Sequence, residues 1–247
     1  MITTGYGICV VIAILATLIM ALRNYDHINS NDWSVALLLP FLIIAYWLKA
    51  QVDSAEAGLV LFVFIELMTS LLLAVILFSM LRSSGVQVRL WFKALVYGGV
   101  AALLFPIWRV FNSRLSSGMI EVADTGDGFI SRMTGSFNVF EHYSLLMAVI
   151  LLAACLVVLI RSGGNRISRR SVLGYLIFTV IWIAVYTVET FTKAVFSLLP
   201  FLYVLVEVLM TVSYDQVRAH DISSMITDSQ RDHAVRSYVA IGLNSKF

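Results

Sequence analysis

Charge is what this chain has least of. Only 13% of its 247 residues are Asp, Glu, Lys or Arg, while 60% are hydrophobic, and the mean hydropathy is +0.90. A soluble globule of this length needs far more polar surface to cover itself, so a water-soluble core is a poor explanation. The formal net charge of +2 is too small for a nucleic-acid-binding surface, and no nucleic-acid partner is expected. Cysteine is nearly missing too. Cys9 and Cys155 both sit in apolar runs without CxxC or CxxH company, which argues against a zinc site or redox pair and leaves two packing residues. Catalytic signatures are lacking as well. There is no H-E-x-x-H, G-x-S-x-G or P-loop, and His27, His142, His220 and His233 are scattered over different segments. No catalytic residue, metal or cofactor is expected in this chain. Finally, no Lys or Arg precedes Arg23, so the first apolar run lacks the positive leader of a secretory signal and reads as a retained helix.

Long apolar runs are what the chain does have. A helix needs about 20 apolar residues to cross the hydrocarbon of a bilayer. Seven stretches qualify: Thr4 to Leu22, Ser34 to Leu48, Ala57 to Leu81, Leu90 to Val110, His142 to Ile160, Ser171 to Thr187 and Val195 to Val212. The second is short and contains Pro40, whose freed carbonyl a neighbouring helix could satisfy. Read as one helix, positions 171–212 would reach about 63 Å, roughly twice a bilayer, so the chain must turn near Glu189 to Lys193. The expected fold is therefore all-α, a polytopic bundle of seven transmembrane helices with the lipid bilayer as its main partner.

Lys and Arg in the connections set the orientation. With the N-terminus outside, the inner side collects Arg23, Arg82, Arg89, Lys93, Arg161, Arg166, Arg169, Arg170, Arg218, Arg231, Arg236 and Lys246. The outer side has Lys49, Arg109, Arg114, Arg132 and Lys193. Twelve against five supports an N-out, C-in protein of the plasma (inner) membrane. The longest connection, 111–141, then lies outside. Its apolar residues, punctuated by Gly118, Gly126, Gly128 and Gly135, fit a short hairpin or an interfacial helix folded over the bundle mouth. Its "DTGDG" lacks the remaining oxygen ligands and the terminal Glu of a calcium loop.

Ionisable residues inside spans are costly and often mark function. Glu66 lies within the third span and Glu207 within the seventh, neither with an obvious basic partner at its depth. Each is either a neutral carboxyl hydrogen-bonded to a hydroxyl such as that of Thr69 or Tyr203, or part of a ligand- or proton-sensing site, with Glu66 the better candidate. Glu189 and Lys193 have the favourable i, i+4 order, either as an interfacial ion pair or as part of an outer pocket. Tyr46, Trp47 and Lys49 close the second span and Trp108 and Arg109 the fourth. All face the same compartment as His142, as interface anchors or as walls of a shared pocket. Pro200, Glu207 and Arg218, on and beyond the seventh span, are the candidates for relaying a signal.

After Val212 the sequence turns polar, with alternating charges and sparse apolar positions at Val217, Met225 and Val235, consistent with a linker helix over 214–236. Then "SYVAIGLNSKF" reads as an apolar strand followed by Gly-Leu-Asn-Ser turn chemistry. Seven spans, a polar helix and this strand resemble the N-terminal seven-transmembrane sensor regions of bacterial histidine kinases and diguanylate cyclases. In those proteins a stretch similar to Tyr238 to Phe247 opens a PAS-like domain. The resemblance implies a sensory input module over 1–213, a homodimer, and an output domain beyond the edge of a truncated chain. "YVAIGLNSKF" lacks the Asp, Thr and Arg of the opening motif of a diguanylate cyclase domain. The expected function is to sense an unknown small-molecule or lipid ligand from outside or within the membrane and relay it through the seventh helix. The alternative is a small transporter or lipid-handling protein, and an intramembrane enzyme has least support.

Overall fold

The computed structural model describes residues 2–24, 30–52, 54–84, 86–102, 104, 120–124, 129–133, 142–161, 166–192 and 197–212. Among these residues the chain forms seven helices and one hairpin. The helices are α1 (Ile2–Asn24), α2 (Ser30–Lys49), α3 (Ala55–Ser83), α4 (Leu90–Ala102), α5 (Tyr143–Arg161), α6 (Arg166–Thr192) and α7 (Leu199–Val212). The strands β1 (Ile120–Asp124) and β2 (Phe129–Met133) pair antiparallel, with Ile120 opposite Met133 and Asp124 opposite Phe129.

α1 shows how an almost uniformly apolar helix still chooses a face. Tyr6, Cys9, Ala13, Ala16 and Met20 are buried, and their spacing of three and four residues places them on one stripe. Three of the five are small or slender, so neighbouring helices approach closely. Ile8, Val11, Leu15, Leu18 and Leu22 point outward and are exposed, a surface suited to hydrocarbon rather than to water. α3 is the hub. It packs against α2, α4, α5 and α6, and every residue from Leu72 to Met80 is buried. Ser54 starts it, accepting a hydrogen bond on its side chain from the Ala57 amide at 3.2 Å.

Consecutive helices run in alternate directions. Gly7 at the start of α1 meets Trp47 near the end of α2, and the Lys49 ammonium at the end of α2 lies 5.1 Å from the centre of the Phe62 ring early in α3. α7 closes the bundle against α1: the Tyr6 and Phe201 rings are 5.9 Å apart, and the Thr211 hydroxyl reaches the Ala16 carbonyl at 3.3 Å.

Four helices are long and apolar enough to cross a membrane, over Thr3–Arg23, Val60–Arg82, Tyr143–Arg161 and Val172–Thr192, and three shorter apolar helices accompany them. The fourth expected span, Leu90 to Val110, is described as continuous helix only to Ala102, and the sixth is longer than expected, running from Arg166 to Thr192. In the 111–141 connection the described residues, 120–124 and 129–133, form a hairpin, one of the two expectations, and it lies against α3. Its strands carry β-branched and aromatic residues, and the intervening "TGDG" is turn-forming sequence. The core itself is entirely helical. Trp108, Lys193, Arg218, the linker 214–236 and the strand expected at 237–247 lie outside the described residues.

Candidate functional site

The end of the bundle that holds the start of α1 also holds the end of α2, the end of α6 and the start of α7. Glu189, one turn before the end of α6, reaches across to the first residues of α7. Its Oε1 accepts from the Leu198 amide at 2.5 Å and its Oε2 from the Ser197 hydroxyl at 2.8 Å. A helix N-terminus leaves its first amides without intrahelical partners and carries a partial positive charge, so a carboxylate there is favourable twice over. Pro200 sits in the first turn of α7, where its missing N–H is not needed. Ser197 is held in turn by Tyr6 of α1, whose hydroxyl donates to the Ser197 carbonyl at 2.6 Å and accepts from its amide at 2.8 Å. Glu189 therefore anchors the entry to α7; Lys193, with which an ion pair was one expectation, lies outside the described residues.

Glu66 lies deeper, 8% exposed, and accepts from the Ser144 hydroxyl of α5 at 3.1 Å. Ser144, on a different helix and unremarkable in its apolar run, is thus one hydroxyl partner of Glu66. Lys49 of α2 acts electrostatically on both Glu66 and Glu189. Lys49, half-buried at the end of α2 with its ammonium over the Phe62 ring, is the basic group whose charge is felt at Glu66.

Aromatic side chains wall the cluster. Trp182 stacks on Tyr186 with ring centres 4.9 Å apart and donates from its indole nitrogen to the Tyr203 hydroxyl at 3.1 Å. The rings of Tyr203 and Tyr46 are 6.4 Å apart, and Thr69 neighbours the Tyr203 hydroxyl. Trp182 and Tyr203 are fully buried, so the indole N–H and the phenol each need an internal partner and supply one another. Ser70, one turn from Glu66 and also fully buried, has a hydroxyl with no hydrogen bond among the described residues.

The expected residues divide accordingly. Glu66, Tyr46, Lys49 and Glu189 come together. Trp47 lies on the outer side, where with Thr4, Gly7, Ile8 and Val11 it lines a shallow apolar groove of about 440 Å³. His142 is exposed at the start of α5. Glu207 belongs to α7 but sits two turns beyond the start of the helix, with its own partners, away from this cluster. Sequence reasoning missed Tyr6, Ser144, Trp182 and Ser197. A Tyr, a Ser and a Trp in apolar helices are individually ordinary, and only the pairing of distant helices gives them a role.

Chemically, the cluster offers two carboxyls, one ammonium, several hydroxyls and flat aromatic faces, with Glu66, Trp182 and Tyr203 buried and Tyr46, Lys49 and Glu189 half-buried. This suits the binding of a small polar or charged group. No set of three or more His, Cys, Asp and Glu side chains able to hold a metal ion occurs among the described residues. Comparison of the chain with protein-family models, with curated proteins and with solved structures returns no match.

Proposed function

We propose that this chain is a sensory input module: a seven-span membrane bundle, N-terminus outside and C-terminus inside, that binds a small ligand at the Glu66, Lys49 and Glu189 cluster. The observation that carries the reading is the cap on α7. The same Glu189 that shares Lys49 with Glu66 holds the first amides of the last helix. A ligand that competes for Lys49 or Glu189 changes how firmly α7 is held, and α7 is the helix that leads to the polar tail. Two bundle states that differ in their affinity for the ligand by a few kcal/mol suffice to shift output.

The test is a fusion of a histidine kinase or diguanylate cyclase domain behind Phe247, with output read in Glu66→Gln, Lys49→Met and Glu189→Gln backgrounds. Output should move in all three while the protein level stays constant. Indifference of the fused activity to all three substitutions would sink the reading. Topology is tested separately, by placing reporters active on only one side of the membrane in the connections after α1, α2 and α5.

A further inference from the structure

A second polar site lies toward the opposite end of α7, and it has a shortage of protons. Glu207 is fully buried. Its Oε1 is 2.8 Å from the Thr17 hydroxyl of α1, and its Oε2 has no partner among the described residues. The Thr17 hydroxyl is also 2.9 Å from the Ala13 carbonyl and 3.4 Å from the Ala36 carbonyl of α2. Three acceptors from three helices thus surround one hydroxyl that has a single proton to give.

The claims of these acceptors differ. The Ala13 carbonyl already receives the amide of residue 17 within α1. The Ala36 carbonyl would normally receive the amide of residue 40, but residue 40 is Pro and has no N–H. Ala36 is fully buried, so Thr17 is its evident donor. If Thr17 gives its proton to Ala36, an ionised Glu207 is left in hydrocarbon with no hydrogen bond at all. If Thr17 gives it to Glu207, the Ala36 carbonyl is orphaned. No described charged group offsets either arrangement. The surroundings of Glu207 are Thr17, Ala36 and Thr211. Along the described helices, the titratable residues that follow or precede in sequence are Tyr203 one turn away on α7 and Cys9 and Arg23 on α1, and none of them is hydrogen-bonded to the Glu207 carboxyl. On α6, Trp182 and Tyr186 lie around Tyr203 rather than around Glu207.

One extra proton resolves the account. We propose that Glu207 is a proton-binding site: its carboxyl binds a proton on Oε1 and donates it to Thr17, which passes its own to the Ala36 carbonyl. This chain of hydrogen bonds links α1, α2 and α7 and leaves only the neutral carbonyl oxygen Oε2 without a donor among the described residues. When the proton leaves to water, Thr17 must turn to the new anion, the Ala36 carbonyl loses its donor, and a bare charge is left at the junction of the three helices. Deprotonation therefore loosens α7 from α1 and α2, independently of any ligand at the other end of the helix.

Infrared difference spectroscopy of the full chain in lipid nanodiscs tests the proposal. At neutral pH, the wild-type minus Glu207→Gln spectrum should contain the C=O band of a protonated, hydrogen-bonded carboxyl, and that band should bleach as pH is raised. Thr17→Val, which keeps the side-chain shape, should move the band to higher frequency because the acid loses its acceptor. Spin labels at Leu22→Cys and Val212→Cys should report a distance change over the same pH range, absent in the Glu207→Gln protein. A difference spectrum showing an ionised carboxylate at neutral pH overturns the proposal. So does loss of the acid band on adding sodium at constant pH, which would make the site a sodium site, or a label distance that stays fixed while the band bleaches.

Discussion

Trp182 and Tyr203 show what a single buried hydrogen bond does in this bundle. Each is fully enclosed, and each is the other's polar partner. Trp182→Phe keeps an aromatic face toward Tyr186 but removes the N–H and part of the ring, leaving the Tyr203 hydroxyl short of a donor and a small void beside it. The loss should be about 1–3 kcal/mol, read as a lower unfolding midpoint in detergent, and Tyr203→Phe in the same background should return part of it. Gly99 makes the complementary point by having no side chain. A methyl group there would lie 2.0 Å from the Tyr143 hydroxyl and 2.9 Å from its ring carbon Cζ. Gly99→Ala should push α4 away from α5 and cost about 1–3 kcal/mol. Tyr143→Ala, which vacates that space, should make the second change nearly silent in a double-mutant cycle.

At the scale of the element, α7 is the helix with the most external support. It is short, 14 residues over Leu199–Val212, and its first amides are satisfied by residues of the preceding turn and of α6. Glu189→Ala should destabilise that end by about 0.5–2 kcal/mol. The expected signature is local, namely faster hydrogen exchange at the Leu198 amide with little change at the far end of the helix. Much of α7 was legible from its apolar run, and so were α1, α3, α5 and α6, because twenty apolar residues with charges only at the ends leave few other structures. The cluster was harder to read. Lys49 stands where a snorkelling interface lysine would, and only the folded bundle brings its charge near enough to be felt at Glu66 and Glu189. Ser144 and Tyr6 are polar residues in helices where polarity carries no period, so their partners, 78 and 191 positions away, have no sequence signal. Pro40 was the exception. The need for an outside donor to Ala36 follows from its ring chemistry, and Thr17 supplies one.

For the whole molecule, burial and polarity are arranged inside out relative to a soluble protein. Among the described residues, the carboxyls of Glu66 and Glu207 and several Ser and Thr hydroxyls are buried between helices, while Ile8, Leu15, Leu146, Val149 and Leu205 face outward. An arginine at Leu15, on the outward face and mid-helix, should therefore cost about 2.5–3.5 kcal/mol of insertion, read as a lower fraction of membrane-integrated chain in a translocon assay. The same change at Leu22, near the helix end and 78% exposed, should be tolerated.

The bonds between α1 and α7 also order events during synthesis. Tyr6 waits for Ser197, Thr17 for Glu207 and the Ala16 carbonyl for Thr211, pairs separated by 190 to 195 positions. α1 finds those partners only when α7 is made. Until then its Tyr and Thr hydroxyls face lipid or a provisional neighbour. A ribosome that stops short of α7 leaves a chain with an open seam along α1, a mark by which a membrane protease could tell an unfinished copy from a finished one.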